Sequence, residues 1–215
     1  MRDLAIIAFC SCSLVSLGAE RRIREEAITV LGITAGSAQT LTEVTERLGP
    51  AKRWHTGDAA ESEWKLCYRL GEGADAVFVV FASNSEMSSP KGQVNSIRIY
   101  GPQVPFAAKR RCAPLAADPS EARTQSGLRL AATQSDIFAI LWPRTLSKRH
   151  SLHYDSCTKR YLEKSQPYFK YWAGKSDCGF EDPQRPYESD CASVDIQLKN
   201  GLVSFFELSR GQSIC

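Results

Sequence analysis

The sequence has few of the features on which enzymes and nucleic-acid-binding proteins depend. Its only histidines are His55, His150 and His153, and a hydrolase triad would need one beside a nucleophile and a carboxylate. It contains neither a Gly-x-Ser-x-Gly nucleophile motif nor a glycine-rich phosphate loop. The formal net charge of +3 is small and dispersed, which argues against nucleic acid as a partner. These absences favour a non-enzymatic protein without a cofactor.

A long apolar run is also missing. Residues 4–15 are apolar but too few to cross a bilayer, for which about 20 residues are needed, so no membrane span is expected. Arg2 precedes this run and small residues follow it, which is the layout of a secretory signal peptide. We therefore predict a signal peptide at residues 1–19, cut after Gly18 or Ala19, and an exported protein that is periplasmic or secreted.

Two other interpretations of this amino-terminal segment are less favoured. Cys12 or Cys10 would be the attachment site of a lipid anchor in a lipoprotein, but Phe9 lies where such signals carry small or aliphatic residues. A buried amphipathic helix would need a polar face, and residues 4–8 show none. Cleavage without lipidation remains the prediction.

An internal repeat is the most informative feature of the chain. Residues 40–50 align without gaps on residues 133–143, at a constant offset of 93 (133 minus 40). Each copy begins with Thr-x-x-acid, in which the hydroxyl caps a helix and the carboxylate lies near its positive end. Apolar residues then recur at helical spacing until Pro50 and Pro143. The repeat predicts two short capped helices.

Strand-like stretches surround both helices. Those predicted around the first helix are residues 27–33, 64–70, 76–82 and 94–100, and those around the second are 127–130, 151–154 and a hairpin from 193 to 208. In the hairpin, Asn200-Gly201 supplies the positive φ angles of a tight turn. We predict an α+β fold of two tandem repeats, each a short capped helix packed on an antiparallel β-meander. The other face of the sheet is then free.

The predicted domains follow from this repeat. The first α+β repeat covers residues 20–112, a linker covers 113–126, and the second repeat covers 127–215. The second repeat carries a long insertion at 156–192.

The motifs resemble a known family. A strand, the Thr-x-x-Glu-Val-x-x-x-Leu-Gly-Pro segment at 40–50, a strand with Cys67-Tyr68 and a closing hairpin resemble the small domain of SmpA/OmlA-type outer-membrane assembly lipoproteins. The tandem form resembles the β-lactamase inhibitory protein fold. Trp142 and the insertion depart from the family pattern. The resemblance implies an exported, non-enzymatic module that works through protein contacts.

Loss of the signal peptide would leave an even number of cysteines. In an oxidising compartment an even set indicates disulfides, whereas in the cytosol it would suggest metal or redox chemistry. The six that we predict to form disulfides are Cys67, Cys112, Cys157, Cys178, Cys191 and Cys215. Many pairings are possible. Following the repeat boundary, we expect Cys67 to pair with Cys112 and the other four to pair within the second half.

The insertion is the predicted partner-binding segment, because it interleaves aromatic and basic residues as protein-binding hot spots do. The candidate partner-binding residues are Tyr161, Tyr168, Phe169, Tyr171 and Trp172. Alternatively, Cys178 and Cys191 close the loop and the rings form a small core over the sheet. The basic runs at 109–111 and 148–150 are interpreted as solvated loop residues, either of which can face an acidic partner.

A metal site is the weaker alternative. His150 and His153, followed by Cys157, have a spacing that a metal ion can use, but a loop histidine pair beside a disulfide cysteine explains the same residues.

The sequence is compatible with three functions. The favoured one is a protein-binding module in envelope assembly or maintenance. The others are an inhibitor of a secreted hydrolase and a metal-dependent enzyme.

Overall fold

The computed structural model describes residues 25–58, 62–84, 91–103, 109–141, 146–148, 151–161 and 187–214. Within these ranges the chain forms two α-helices, α1 (Leu41–Leu48) and α2 (Gln134–Leu141), and eleven strands. The strands are β1 (Thr29–Val30), β2 (Ile33–Thr34), β3 (Trp54–Thr56), β4 (Glu63–Leu70), β5 (Val77–Asn84), β6 (Ser96–Tyr100), β7 (Ala113–Leu115), β8 (Leu146–Lys148), β9 (Ser151–Tyr161), β10 (Tyr187–Lys199) and β11 (Leu202–Ile214). The predicted α+β class is confirmed. Neither described helix is long and apolar enough to span a membrane.

Nine strands form one large, mostly antiparallel sheet. Its order is β3-β4-β5-β6-β11-β10-β9-β8, and β7 pairs in parallel with β4. β3 and β7 share one edge of β4, because β3 pairs with residues 63–65 and β7 with residues 68–70. The pair β6–β11 joins the two halves of the sheet, and in its register Arg98 lies opposite Glu207. β1 and β2 form a separate hairpin.

Both predicted helices are confirmed, and both begin with reciprocal caps. Glu43 N donates to Thr40 Oγ1 at 3.2 Å, and Thr40 N donates to the Glu43 carboxylate at 2.6 Å. Thr133 and Asp136 make the same exchange, at 3.2 and 2.8 Å. These contacts satisfy backbone N–H groups that a helix start leaves unpaired. The hydrogen bond from each threonine backbone holds the pKa of Glu43 and of Asp136 below its usual value.

Removal of either cap should weaken the fold modestly. We expect Thr40→Ala and Thr133→Ala each to lower the free energy of unfolding by about 1 kcal/mol, because a backbone N–H loses its acceptor. Urea unfolding followed by circular dichroism measures the loss. Thr45→Ala is the matched control, since its hydroxyl donates to Thr42 O and caps no N–H group. Cap variants as stable as this control would contradict the prediction.

Alternation along the strands gives the large sheet two distinct faces. One face packs against Leu41 and Val44 of α1 and Ile137 of α2, and we name it the helix face. Its most buried strand residues are Leu66, Tyr68, Leu70, Val79, Phe81, Ile97, Ile99, Val194, Ile196, Phe206 and Leu208. Complete burial of such a side chain contributes roughly 1.5–3 kcal/mol, so this face forms the main core.

Tyr68 ties the first helix to the sheet. Its hydroxyl donates to the carbonyl of Gly49 at 2.6 Å, and Gly49 ends α1 with a φ of 97°, a value that glycine adopts without strain. Burial of the phenol raises the pKa of Tyr68 to about 12. The apolar stripe, the glycine and the tyrosine together fix α1 on the helix face.

Strand ends differ from the predicted ones, whereas the turn of the hairpin does not. The stretch predicted as a strand at 127–130 contains only an isolated bridge, from Arg123 to Arg129. β9 and β10 extend into both ends of the predicted insertion at 156–192. Those ends are largely polar, and backbone pairing does not require apolar side chains on a solvated face. The predicted turn is confirmed, with φ of 55° at Asn200 and 77° at Gly201.

Candidate functional site

The second face of the large sheet carries a disulfide between Cys67 and Cys112, and we name it the disulfide face. The bond joins the middle of β4 to the residue before β7, which confirms the expected pairing. A small apolar cluster surrounds it, separate from the main core. The cluster contains Trp54, Cys67, Ala76, Phe78 and Val80, with Tyr100 and Cys112 partly buried against it.

The prediction that this face is free is wrong near β4. A 3-10 turn at Lys109–Arg111 lies against its aromatic rings. The turn lies there because Cys112, the next residue, is bonded to Cys67. The disulfide thus brings a basic segment onto the sheet.

The second half of the chain also contains a disulfide-bonded cysteine. Cys191 of β10 is disulfide-bonded, and its backbone lies opposite that of Cys157 in β9. Cys178 and Cys215 lie outside the described residues. Pairing of the four later cysteines within the second half therefore stays a prediction.

A network of charged side chains occupies the centre of the disulfide face. Arg98 Nη2 lies 2.7 Å from Glu63 Oε1, and Arg98 Nε lies 2.8 Å from Glu207 Oε1. Lys65 forms a second ion pair with Glu63, and the Ser96 hydroxyl donates to Glu207 Oε1 at 2.6 Å. The Arg98 side chain is 19% exposed and that of Glu63 11%. Water therefore screens these pairs less than it screens surface salt bridges.

The network holds its charges at neutral pH. Burial by itself would raise the pKa of Glu63, but hydrogen bonds from Arg98 and Lys65 and their positive charges hold it below its usual value. Burial by itself would lower the pKa of Arg98, but the two glutamates hold it above its usual value. Neither group exchanges a proton near neutrality, so neither is poised for acid–base catalysis. The arrangement is suited to recognition or stabilisation.

The 3-10 turn presents cations over aromatic rings. Lys109 Nζ lies 5.3 Å from the centre of the Phe78 ring, and the guanidinium carbon of Arg111 lies 5.9 Å from the centre of the Trp54 ring. Both distances lie within the range of cation–π attraction. Arg110 and Arg111 are exposed to solvent. The turn is therefore a positively charged surface fixed on the sheet.

One histidine contact has the form of part of a hydrolase site. His55 Nε2 lies 2.7 Å from Ser62 Oγ, and the ring lies against Trp64 with 5.1 Å between centres. His55 is exposed, and no carboxylate in the described part of the chain contacts its other ring nitrogen. A triad needs such a group to orient the imidazole, so these two residues by themselves do not form one.

Most of the predicted site residues lie outside the described ranges. Tyr168, Phe169, Tyr171 and Trp172 are outside them, and of Tyr161 only the backbone, at the end of β9, is described. The aromatic partner-binding site therefore stays a prediction. The predicted signal peptide at 1–19, with its alternative lipid anchor at Cys12, is also outside the described residues.

The predicted metal alternative is placed only in part. His150 lies outside the described residues, and the backbone of His153 lies opposite Asp195 in the β9–β10 ladder. Where the structure describes side chains, no three His, Cys, Asp or Glu residues are grouped to hold a metal ion.

The charged network around Arg98 was not predicted from the sequence. β6 alternates Ile97 and Ile99 with polar residues, which indicates a polar face, but Arg98 and its partner Glu207 are 109 positions apart. No short motif connects residues so distant. The basic run at 109–111, interpreted as solvated, packs on aromatic rings because of the neighbouring disulfide. These residues have to be interpreted from their own geometry, since no protein-family model, curated protein or solved structure matches the chain.

Proposed function

We propose that this protein is an exported, non-enzymatic protein-binding module built from two copies of one helix-and-sheet unit. The strand order of the large sheet is the observation that carries the two-copy part of the proposal. α1 is followed by β3, β4, β5 and β6, and α2 is followed by β8, β9, β10 and β11. Each set pairs in chain order, and the two sets meet at their last strands, β6 and β11. Two copies of one meander joined edge to edge have this order.

Backbone hydrogen bonds support the equivalence of the two units. Val94 N, just before β6, donates to Gln39 O at 2.9 Å. Val203 N, at the start of β11, donates to Ala132 O at 2.9 Å. Each acceptor immediately precedes the threonine that caps its helix. In both units the helix start is thus attached to the beginning of the last strand.

Arg98 and Glu207 are equivalent positions in the proposed units. Each lies four residues after the valine just described (98 minus 94, and 207 minus 203). They are also direct partners in the β6–β11 ladder. A pseudo-twofold axis of the proposed molecule passes between them, at the centre of the sheet.

Disulfide chemistry supports export. The Cys67–Cys112 bond and the disulfide at Cys191 are the kind of cross-link that persists in oxidising compartments. This agrees with the signal peptide proposed at residues 1–19 and with a periplasmic or secreted location. The resemblance to SmpA/OmlA-type domains, and in tandem to β-lactamase inhibitory proteins, points to envelope assembly or maintenance as the setting.

The disulfide face is the proposed binding surface. The α-helices cover the helix face, whereas the disulfide face carries a charged network, cations over aromatic rings and exposed polar residues such as Gln197. Arginine and aromatic residues are enriched where proteins bind each other. The proposed aromatic insertion between β9 and β10 would lie in the same half as Gln197.

Site-specific photo-crosslinking in the exported fraction tests this proposal. A photoreactive amino acid at Gln197 samples the disulfide face, and one at Glu46 of α1 is the matched exposed control. We expect a covalent complex with one defined exported protein from position 197 and none from position 46. Complexes from position 46 alone would place binding on the helix side of the sheet and contradict the proposed surface. If neither position yields a complex, the result counts against a binding module. If the captured protein is a hydrolase that loses activity in a one-to-one complex, the module is an inhibitor.

A further inference from the structure

We propose that Arg69, Lys109, Arg110 and Arg111 form a docking surface for an acidic segment of a partner protein. The inference rests on the proposed binding function and specifies the chemistry of the partner, which is a cluster of aspartate and glutamate carboxylates. Four observations support it: the anchoring of the turn, the packing of its cations, the lack of counter-charges among the described residues, and a buried donor at Arg69.

The basic turn is anchored at its carboxyl end by two kinds of bond. The disulfide holds Cys112 to Cys67, and Ala113–Leu115 then pairs in parallel with β4. A segment attached in this way has little conformational freedom left to lose when a ligand binds. The anchored turn should therefore bind a ligand more tightly than a mobile basic loop of the same composition.

Aromatic packing fixes the direction of the cations as well as their backbone. Lys109 Nζ donates to Pro102 O at 2.7 Å while it lies over Phe78, and Arg111 lies over Trp54. These rings are only 6% and 7% exposed, so the neighbouring segments, including the cationic side chains, shield them from water. The charges are thus held at the surface of a small apolar cluster.

In the part of the chain that the structure describes, the turn lacks the counter-charges that other cations of this face possess. Lys65 and Arg98 are paired with glutamates. By contrast, Lys109, Arg110 and Arg111 form no ion pair with any residue in the described ranges. Arginine is the side chain best suited to bidentate recognition of a carboxylate. Arg110 and Arg111, which form no ion pair with a described residue, are therefore available to the carboxylates of another molecule.

Arg69 adds a fourth charge and an unsatisfied donor. It lies opposite Phe78 in the β4–β5 ladder, so its side chain is on the same face of the sheet as the Phe78 ring that Lys109 covers. Its Nε is buried and has no hydrogen-bond partner among the described residues. A buried donor without an acceptor is unfavourable. The partly exposed Arg69 side chain would have to turn outward before a carboxylate oxygen of the partner could supply the missing acceptor.

Exposed acidic residues limit this surface at one end. Glu72 and Asp75 are exposed in the turn beyond Arg69. Nucleic acid and anionic membranes present extended arrays of phosphate that would meet these carboxylates. A short acidic peptide segment can end before it reaches them. The size of the cationic surface therefore favours a protein partner.

Fluorescence anisotropy with a labelled peptide of alternating aspartate and serine tests the surface directly. The oxidised full chain should bind the peptide, and the affinity should fall as salt is added. Arg110→Gln/Arg111→Gln should bind it at least about tenfold more weakly. The control Arg123→Gln/Lys199→Gln removes two exposed positive charges elsewhere and should stay within about twofold of the native chain. The control should keep the native unfolding midpoint, because it changes exposed side chains. Arg110→Gln/Arg111→Gln loses the contact of Arg111 with the Trp54 ring and should lower the midpoint only slightly.

Three results would overturn the docking surface. The first is the absence of salt-sensitive peptide binding by the native chain. The second is equal weakening in the two double variants, which would mean that only net charge matters. The third is binding of phosphatidylglycerol vesicles or a single-stranded oligonucleotide in place of the peptide, which would assign the surface to phosphate.

Photo-crosslinking from Gln197 separates this inference from the function on which it rests. An unchanged yield of partner complex in Arg110→Gln/Arg111→Gln would overturn the docking surface and leave the binding function standing. A native chain that captures no partner would instead remove the binding function. Loss of the complex in this variant, with retention in the Arg123→Gln/Lys199→Gln control, supports both.

Discussion

Replacement of Arg98 by methionine is expected to lower the free energy of unfolding by about 3 kcal/mol at neutral pH. Arg98 bridges Glu63 and Glu207 at the centre of the sheet, at 2.7 and 2.8 Å. Methionine matches the aliphatic part of the arginine side chain but carries no charge, so both largely buried carboxylates lose this partner. The loss of one member of a buried ion pair is unfavourable because the remaining charge stays desolvated. Urea unfolding monitored by circular dichroism measures the effect.

The deficit of this variant should depend on pH. In the native chain the pKa of Glu63 lies below its usual value of 4.5, so its ion pairs stabilise the fold above that pH. This stability is lost as the pH falls through the lower folded-state pKa. Without Arg98, Glu63 takes up a proton at a higher pH. We therefore expect the difference between Arg98→Met and the native chain to shrink from pH 7 to about pH 4.

The control for this prediction is Arg123→Met, which changes an exposed arginine and should alter stability by less than about 0.5 kcal/mol. A deficit of Arg98→Met that is the same at every pH would contradict the ion-pair explanation. A deficit as small as that of the control would mean that the network contributes little to stability.

Charge reversal tests whether Arg98 and Glu207 stabilise the sheet through their opposite charges or only through the burial of their side chains. In the proposed two-unit arrangement, pairing β6 with β6 of a second copy would oppose two arginines, and pairing β11 with β11 would oppose two glutamates. Like charges directly opposite each other destabilise a strand pair, so Arg98 and Glu207 favour the union of unlike strands within one chain. Arg98→Glu should destabilise the chain, because it places a carboxylate between Glu63 and Glu207, and Glu207→Arg added to it should restore part of the loss. A double variant less stable than both single variants would contradict this role.

Removal of the Cys67–Cys112 disulfide is expected to lower the free energy of unfolding by about 4 kcal/mol. The bond connects residues 45 positions apart, and a cross-link over such a loop strongly restricts the unfolded chain. Cys67 is also fully buried, so Cys67→Ala leaves a small void that adds to the loss. Thermal and urea unfolding of Cys67→Ala/Cys112→Ala under non-reducing conditions measure the effect.

The same variant should weaken peptide binding, because the basic turn loses its covalent anchor while all its charges remain. Peptide mapping without reductant serves as the control, since the disulfide at Cys191 should remain intact. An unfolding midpoint equal to that of the native chain would refute the stability prediction. Peptide affinity equal to that of the native chain would show that strand pairing by β7 is sufficient to hold the turn.

The features predicted correctly from the sequence depend on contacts between residues that are close in the chain. Thr40 caps a helix with Glu43, three positions away, and Asn200-Gly201 forms a turn from its own backbone preferences. Such contacts depend on local geometry, so a short motif predicts them. The ends of β9 and β10 escape prediction because their polar residues pair through the backbone, which leaves no apolar period.

Features that depend on contacts between distant residues were harder to predict from the sequence. The pairing of Cys67 with Cys112 was expected from the repeat boundary, and the structure confirms it. Its effect on the basic run at 109–111 required the tertiary structure, because the exposure of a charged run depends on what the fold brings beneath it. In this chain the buried rings of Trp54 and Phe78 lie there.

By itself, the sequence determined the α+β class, the two capped helices and the final hairpin, since hydrogen bonds and apolar periodicity within a few residues specify them. The tertiary structure alone decided that β6 joins β11, that Arg98 lies between Glu63 and Glu207, and that a basic turn lies on the disulfide face. These features join segments as far as 109 positions apart. Which of these distant segments meet is determined by the packing of the whole chain and not by local conformational preferences.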